Sequence, residues 1–191
     1  LIVHFFIPKE KREKPIYSRL FWCTEIAVIG MMVTFPVQGY ALFSIIFSTM
    51  HILLSYLFCR LVWKDSFKDK TPAVRFLKSS VLFMVLSTFG VWCLGPAVST
   101  LGKQSAFYQI AIQFFLHFQF NGWFLFAVLA LFLKQFQHAI DKRKFKMFYS
   151  LLIISIFLTV AFPIRWFVEN NILNWINTLG VVFQLLAFIY F

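Results

Sequence analysis

Two histidines lie inside apolar stretches of the chain, and one of them belongs to a regular stripe of polar residues. Four polar side chains follow one another at steps of four and therefore share one face of a helix: Gln109, Gln113, His117 and Asn121. Unpaired amides in hydrocarbon are costly, so a helix in lipid is expected to turn this stripe inward.

The second histidine also has polar neighbours on its own helical face. Spacings of four, three and four place these side chains together: Ser44, Ser48, His51 and Ser55. Counted at about 1.5 Å per residue from the turns that precede them, His51 and His117 both lie about 18 Å below one membrane surface. Two imidazoles at one depth predict a shared ligand, with a haem iron as first candidate and copper or another transition metal as second.

The same residues have a purely structural interpretation. Intramembrane His, Gln, Asn and Ser side chains also hold helices together by hydrogen bonds worth about 0.6–2 kcal/mol each. Ionisable residues within the membrane are nevertheless functional by default, so both interpretations stay open.

The composition requires helices in a membrane to position these residues. The chain has 191 residues, of which 61% are hydrophobic and only 13% charged. Soluble domains are about 45–50% apolar and about 25% charged. The chain therefore has too little polar surface for a water-soluble enzyme and too much apolar sequence for a disordered tail.

Six apolar stretches approach the length of about 20 residues that a membrane helix needs. They cover residues 20–36, 41–63, 76–94, 106–133, 147–166 and 172–191. Their continuous apolar runs lack the alternation of barrel strands, so they predict an all-α, polytopic transmembrane helical bundle. We interpret residues 1–191 as a single integral-membrane domain within a longer chain, with residues 1–7 as the end of a seventh helix. A compact protein with an unusual start is the alternative.

The basic residues indicate how the chain crosses the membrane. All but two of the 18 Lys and Arg residues lie in or beside the loops 8–19, 64–75 and 134–146, the exceptions being Lys103 and Arg165. Basic loops thus alternate with neutral ones, and the positive-inside rule predicts that the basic loops are cytoplasmic. We interpret the membrane as a bacterial inner membrane. The net charge of +11 is then a topology signal and implies no nucleic-acid partner.

Weaker polar signals lie elsewhere in the spans. Glu25 and Arg60 are expected to lie at similar levels and to form an ion pair. Arg165 is expected to meet a lipid headgroup or a haem propionate, and His138 to be solvated in a basic loop. Three amides on one side of the sixth span are expected to face the same interior as the stripe: Asn174, Asn177 and Gln184.

A short stretch resembles a helix of a known family. His117-Phe118-Gln119-Phe120 and the Phe-rich run to Ala127 are similar to a membrane helix of haem–copper oxidase subunit I, which carries His-Phe-His-Tyr. The NO-response haem–copper membrane proteins are related to that subunit. The resemblance implies that His117 ligates haem, while Gln119 replaces the histidine for a second haem.

The resemblance leads to a first functional hypothesis. It is a haem- or copper-binding protein for electron transfer, O₂ or NO chemistry, or sensing, related to the oxidases of respiratory chains. His51 and His117 would be ligands, supported by Gln113, Gln119 and Asn121. This hypothesis predicts a Soret band that weakens on His117→Ala.

Two other classes of function remain open. The chain is alternatively a cofactor-free structural or accessory subunit of a larger membrane complex, with the polar stripes packing against partner helices or lipid. In that case the complex would survive mutation of both histidines. A transporter with its substrate on the stripe from Gln109 to Asn121 ranks last, because no broken helices or inverted repeats are evident.

Overall fold

The predicted fold class is confirmed. The computed structural model describes residues 1–68, 71–136 and 141–191, and these contain helices and no strand. Six helical stretches within them are long and apolar enough to cross a membrane. Many of their large apolar side chains are exposed, which suits contact with the lipid bilayer. Lys70 and His138, both assigned to basic loops from the sequence, lie outside the described residues.

The chain divides into two compact units, Leu1–Lys70 and Thr71–Phe191, where the sequence predicts one domain. The first unit consists of two short and two long helices: α1 (Ile2–Phe6), α2 (Lys9–Arg12), α3 (Pro15–Gln38) and α4 (Leu42–Asp65). The helices α3 and α4 pack against each other. Gly39 joins them with a φ of 64°, a left-handed conformation that glycine adopts without strain.

A buried carboxylate holds the first unit together at the end of α4. Asp65 accepts a hydrogen bond of 2.9 Å from the Tyr17 hydroxyl and lies 3.4 Å from the Lys11 ammonium. The expected Glu25–Arg60 ion pair is wrong, because residues 1–68 contain only the Lys11–Asp65 pair and an exposed pair within α2 and its cap. The Arg60 side chain is exposed and the Glu25 side chain is half-buried, and neither has an ion-pair partner within residues 1–68.

The second unit contains four membrane-spanning stretches. Its elements are α5 (Pro72–Leu101), α6 (Ala106–His117), a π-helix (Phe118–Phe124), α7 (Leu125–Gln135), α8 (Lys142–Thr159), α9 (Ala161–Arg165) and α10 (Asn171–Ile189). The helix α5 packs along α6, the π-helix and α7, while α10 packs on α8. These contacts build a core of aromatic rings, in which the fully buried Phe76 lies 4.9 Å from Phe126 and 5.6 Å from Phe148, measured between ring centroids.

Two spans differ in length or continuity from the sequence expectation. The third span continues to Leu101, past Pro96, because membrane helices tolerate a proline where local adjustments satisfy the freed backbone. Ser99 and Thr100 both donate from their hydroxyls to the Pro96 carbonyl in the last turn. The fifth span is interrupted at Val160, because Pro163 has no N–H with which to continue the helical ladder.

A glycine permits the close approach of α5 to α6. A Cβ atom built on Gly90 would contact the Ala111 carbonyl oxygen and would lie 2.9 Å from the Phe115 backbone nitrogen. Backbone atoms cannot rotate away as side chains do, so a methyl group would push the two helices apart.

We therefore expect Gly90→Ala to destabilise the protein by about 1–3 kcal/mol, the usual range for overpacking. Gly95→Ala in the same helix is the matched control, because nothing lies within 4 Å of a Cβ atom there. Thermal unfolding in detergent, followed by circular dichroism, measures both variants. Equal melting temperatures would contradict the close packing of α5 on α6.

Candidate functional site

The polar stripe of the fourth span faces a cleft in the second unit. Gln113 and His117 lie on α6, Asn121 lies in the π-helix, and all three line the cleft. The fourth member of the stripe, Gln109, instead donates from its side-chain amide to the Lys103 carbonyl, 3.0 Å away, in the loop before α6. The stripe is thus divided between a loop contact and the cleft.

The cleft has a volume of about 550 Å³, within the range of ligand pockets. Its walls come from α6, the π-helix, α7, α8, α9 and α10. They include six hydrogen-bonding side chains: Gln113, His117, Asn121, Thr159, Asn177 and Gln184. The expectation that Asn177 and Gln184 face the same interior as Gln113 and Asn121 is confirmed, whereas Asn174 does not line the cleft.

The His117 ring is held by hydrogen bonds at both nitrogens. Its Nε2 lies 2.9 Å from the Ile156 carbonyl oxygen, which can only accept, so Nε2 carries the proton. Its Nδ1 lies 3.3 Å from the side-chain nitrogen of Asn121, which can only donate, so Nδ1 accepts. These two bonds define a neutral imidazole with one tautomer.

The Ile156 carbonyl is available because α8 ends just after it. The last four carbonyls of an α-helix have no partner within the helix, and Ile156 is among the last four residues of Lys142–Thr159. The Thr159 hydroxyl also approaches this carbonyl, at 3.4 Å. The buried His117 supplies the shorter bond, at 2.9 Å, and this bond links α6 to α8.

The π-helix begins directly after His117 and sets the positions of the residues that follow. π-Helical turns are rare in proteins, and those that occur often lie at functional sites. Gly122 permits this one to pack on α5, since a Cβ atom there would lie 2.7 Å from the Cβ atom of Phe83. The apolar stretch 106–133 predicts one helix without this π-helical turn, whose only local signal is a glycine in the middle of the stretch.

Gln119 lies outside the cleft. Its side-chain oxygen accepts a hydrogen bond of 2.8 Å from the Ser87 hydroxyl on α5. This bond joins two packed helices across the core. Among the five residues that the sequence analysis assigns to a cofactor site, the structure thus brings together Gln113, His117 and Asn121.

His51 belongs to the first unit, in α4, and its side chain is half-buried. The serines on its face bond to backbone carbonyls: Ser48 to Ile45 and Ser55 to His51 itself, while Ser44 bonds to Gly39. Within residues 1–68, no hydrogen bond holds the His51 ring. The ligand shared by His51 and His117 stays a prediction.

The hydrogen bonds of His117 decide how well its surroundings fit a haem iron or copper ion. A metal needs a ring nitrogen with a free lone pair, but Nε2 carries a proton and Nδ1 accepts from Asn121. In addition, the described part of the chain brings no three His, Cys, Asp or Glu side chains together as a metal site. As it is bonded, the ring does not fit ligation. Haem and copper binding stay untested predictions.

Arg165 lies at another cavity of the second unit, of about 570 Å³, with Trp166 and Glu169. All three side chains are exposed. Asn170 lines it too and caps α10 by accepting from the Ile172 backbone nitrogen at 2.9 Å. An exposed arginine beside a tryptophan suits the expected contact with lipid headgroups, which stays a prediction.

Comparison with known proteins adds no family to this geometry: no family model, curated protein or solved structure matches the chain. The resemblance of His117–Phe120 to oxidase subunit I therefore stays a prediction.

We expect wild-type protein and His117→Ala, purified from haem-replete cells, to give the same visible absorption spectrum, because the imidazole is held by Ile156 and Asn121. His51→Ala serves as the companion variant. A Soret band that weakens in His117→Ala would show that the ring leaves the carbonyl to bind iron, and would restore the haem hypothesis.

Proposed function

We propose that the second unit is a membrane-embedded binding module that holds a small, uncharged molecule in the cleft beside His117. The observation that carries this proposal is the convergence of six hydrogen-bonding side chains from four helical segments on one cavity of about 550 Å³. Polar groups at this depth are costly unless they have partners. His117, Asn121 and Thr159 already bond within the protein. A bound molecule with its own donors and acceptors supplies partners for the amides of Gln113, Asn177 and Gln184.

The residues that line the cleft indicate that its ligand is uncharged. Among the described residues, the cleft is lined by amides, a hydroxyl, an imidazole and apolar side chains, with no Lys, Arg, Asp or Glu. A neutral His117 adds no charge of its own. An ion moved into such a site would lose its hydration without gaining a counter-charge, which costs several kcal/mol.

The apolar residues at the edge of the cleft indicate that the ligand also has an apolar part. Leu116, Phe120 and Phe162 line the cleft, and they are 37%, 62% and 48% exposed. These exposed apolar side chains lie at the edge of the cleft, next to its amides. A molecule with a neutral polar head and a hydrocarbon tail matches both surfaces and enters from the bilayer.

An accessory role in a larger complex is the competing explanation for exposed polar groups. Amides such as Asn121 and Gln184 would then bind a polar side chain of a partner helix. The concave shape favours a small molecule, because helices pack through ridges and grooves along their length.

By the positive-inside rule we also propose that the basic ends of the helices face the cytoplasm. We propose a bacterial inner membrane as the membrane that the chain spans.

Dodecanamide and dodecanoate form a matched pair of probes, with the same chain and either a neutral amide or a charged carboxylate. We expect full-length protein in nanodiscs to bind dodecanamide at least about tenfold more tightly, because the carboxylate finds no cation in the cleft. Calorimetric titration measures both affinities.

The residue test uses two amides of α10. Asn177→Leu removes a cleft side chain, and we expect it to weaken dodecanamide binding about two- to tenfold, the worth of one hydrogen bond. Asn174→Leu is the control, since Asn174 does not line the cleft. Equal binding of the two probes, or equal losses in the two variants, would contradict the proposal. Loss of a co-purifying subunit in Asn177→Leu alone would favour the accessory role.

A further inference from the structure

A separate groove lies at the end of the second unit where α7 and α10 finish and α8 begins. It has a volume of about 360 Å³. Most of its lining is aromatic: Phe132, Phe136, Phe145, Phe148, Tyr190 and Phe191. The rings of Phe148 and Phe191 lie 4.8 Å apart, and those of Phe132 and Phe136 also lie 4.8 Å apart. The groove is thus a well-packed apolar surface at the end of the helices.

Basic residues lie in and near this groove. Lys144 lines it directly, and the first turns of α8 also carry Lys142, Arg143 and Lys146. From α5, the Arg75 guanidinium lies 5.5 Å from the centre of the Phe145 ring, which lines the same groove. The basic residues of two helices, α5 and α8, therefore collect at this end of the unit.

One acidic residue also lines the groove, but its carboxylate is already hydrogen-bonded at the start of α8. Asp141 caps α8, and its carboxylate accepts from the backbone N–H groups of Arg143 at 2.7 Å and Lys144 at 3.0 Å. The N–H groups of Lys144 and Arg143 hold the pKa of this carboxyl below its usual value. The Asp141 charge matches the positive end of α8, and the charges of Lys144 and Arg143 also attract it. The first turns of α8 carry four basic residues against this one carboxylate, so this end of the helix keeps a net positive charge.

We propose that this groove binds an anionic phospholipid, with the phosphate beside Lys144 and the glycerol and upper acyl chain against the aromatic rings. Positive charge meets the phosphate, and exposed rings such as Phe136 and Phe191, at 50% and 54%, meet the hydrocarbon. Basic pockets between membrane helices on the cytoplasmic side bind anionic headgroups in this manner. The proposal is independent of the neutral ligand in the cleft beside His117.

Native mass spectrometry of the full chain, titrated with phosphatidylglycerol or phosphatidylcholine of identical acyl chains, tests the proposal. We expect phosphatidylglycerol to bind more tightly. Lys144→Gln should lower its affinity about fivefold, the usual effect of one basic residue near a membrane surface. Lys103→Gln is the matched control, because it removes the same charge beyond the far end of α5.

A second variant tests the apolar part of the groove. Phe136→Ala should weaken both lipids by a similar factor, because the two lipids share the same acyl chains. Glycerol 3-phosphate, which has no acyl chains, should fail to displace phosphatidylglycerol.

Three results would overturn the proposal. The first is equal binding of the two lipids, and the second is an equal loss in Lys103→Gln and Lys144→Gln, which would indicate diffuse attraction only. The third is displacement of the lipid by glycerol 3-phosphate, which would show that the aromatic rings play no part.

Discussion

The organisation of the second unit depends on the hydrogen bond from His117 Nε2 to the Ile156 carbonyl. Within a membrane, water is not available to polar groups, so each must find its partner in the protein or in a ligand. The helix α8 ends at Thr159, which leaves the Ile156 carbonyl in its last turn, and His117 donates to this carbonyl. This bond fixes the imidazole on α6 and leaves the neighbouring amides around an open cleft.

The cleft is a consequence of the same constraint. The bond of Asn121 to Nδ1 completes the pairing of the imidazole, but the amides of Gln113, Asn177 and Gln184 share the cavity without such a fixed partner. Residues 71–136 and 141–191 provide no charge within that lining. An uncharged molecule with hydrogen-bond donors and acceptors therefore suits the cleft better than an ion. The aromatic groove beside Lys144 instead suits an anionic ligand.

Much of the fold could be predicted because hydropathy alone determines where a chain crosses a membrane. The six spans follow from apolar length, and the convergence of Asn177 with Gln113 follows from the cost of exposing amides to lipid. The bonds of His117 could not be predicted. They depend on where α8 ends and on a π-helix, and both are tertiary features that helical periodicity does not encode. Gln119 shows the same limit, because its partner Ser87 lies on another helix.

Nitrogen-15 solid-state NMR of the protein in lipid bilayers tests the central claim most directly. The His117 signals are assigned by their loss in His117→Gln. At neutral pH the account predicts one protonated and one unprotonated ring nitrogen, with the proton on Nε2. A proton on Nδ1, protons on both nitrogens, or shifts typical of a metal-bound imidazole would contradict it.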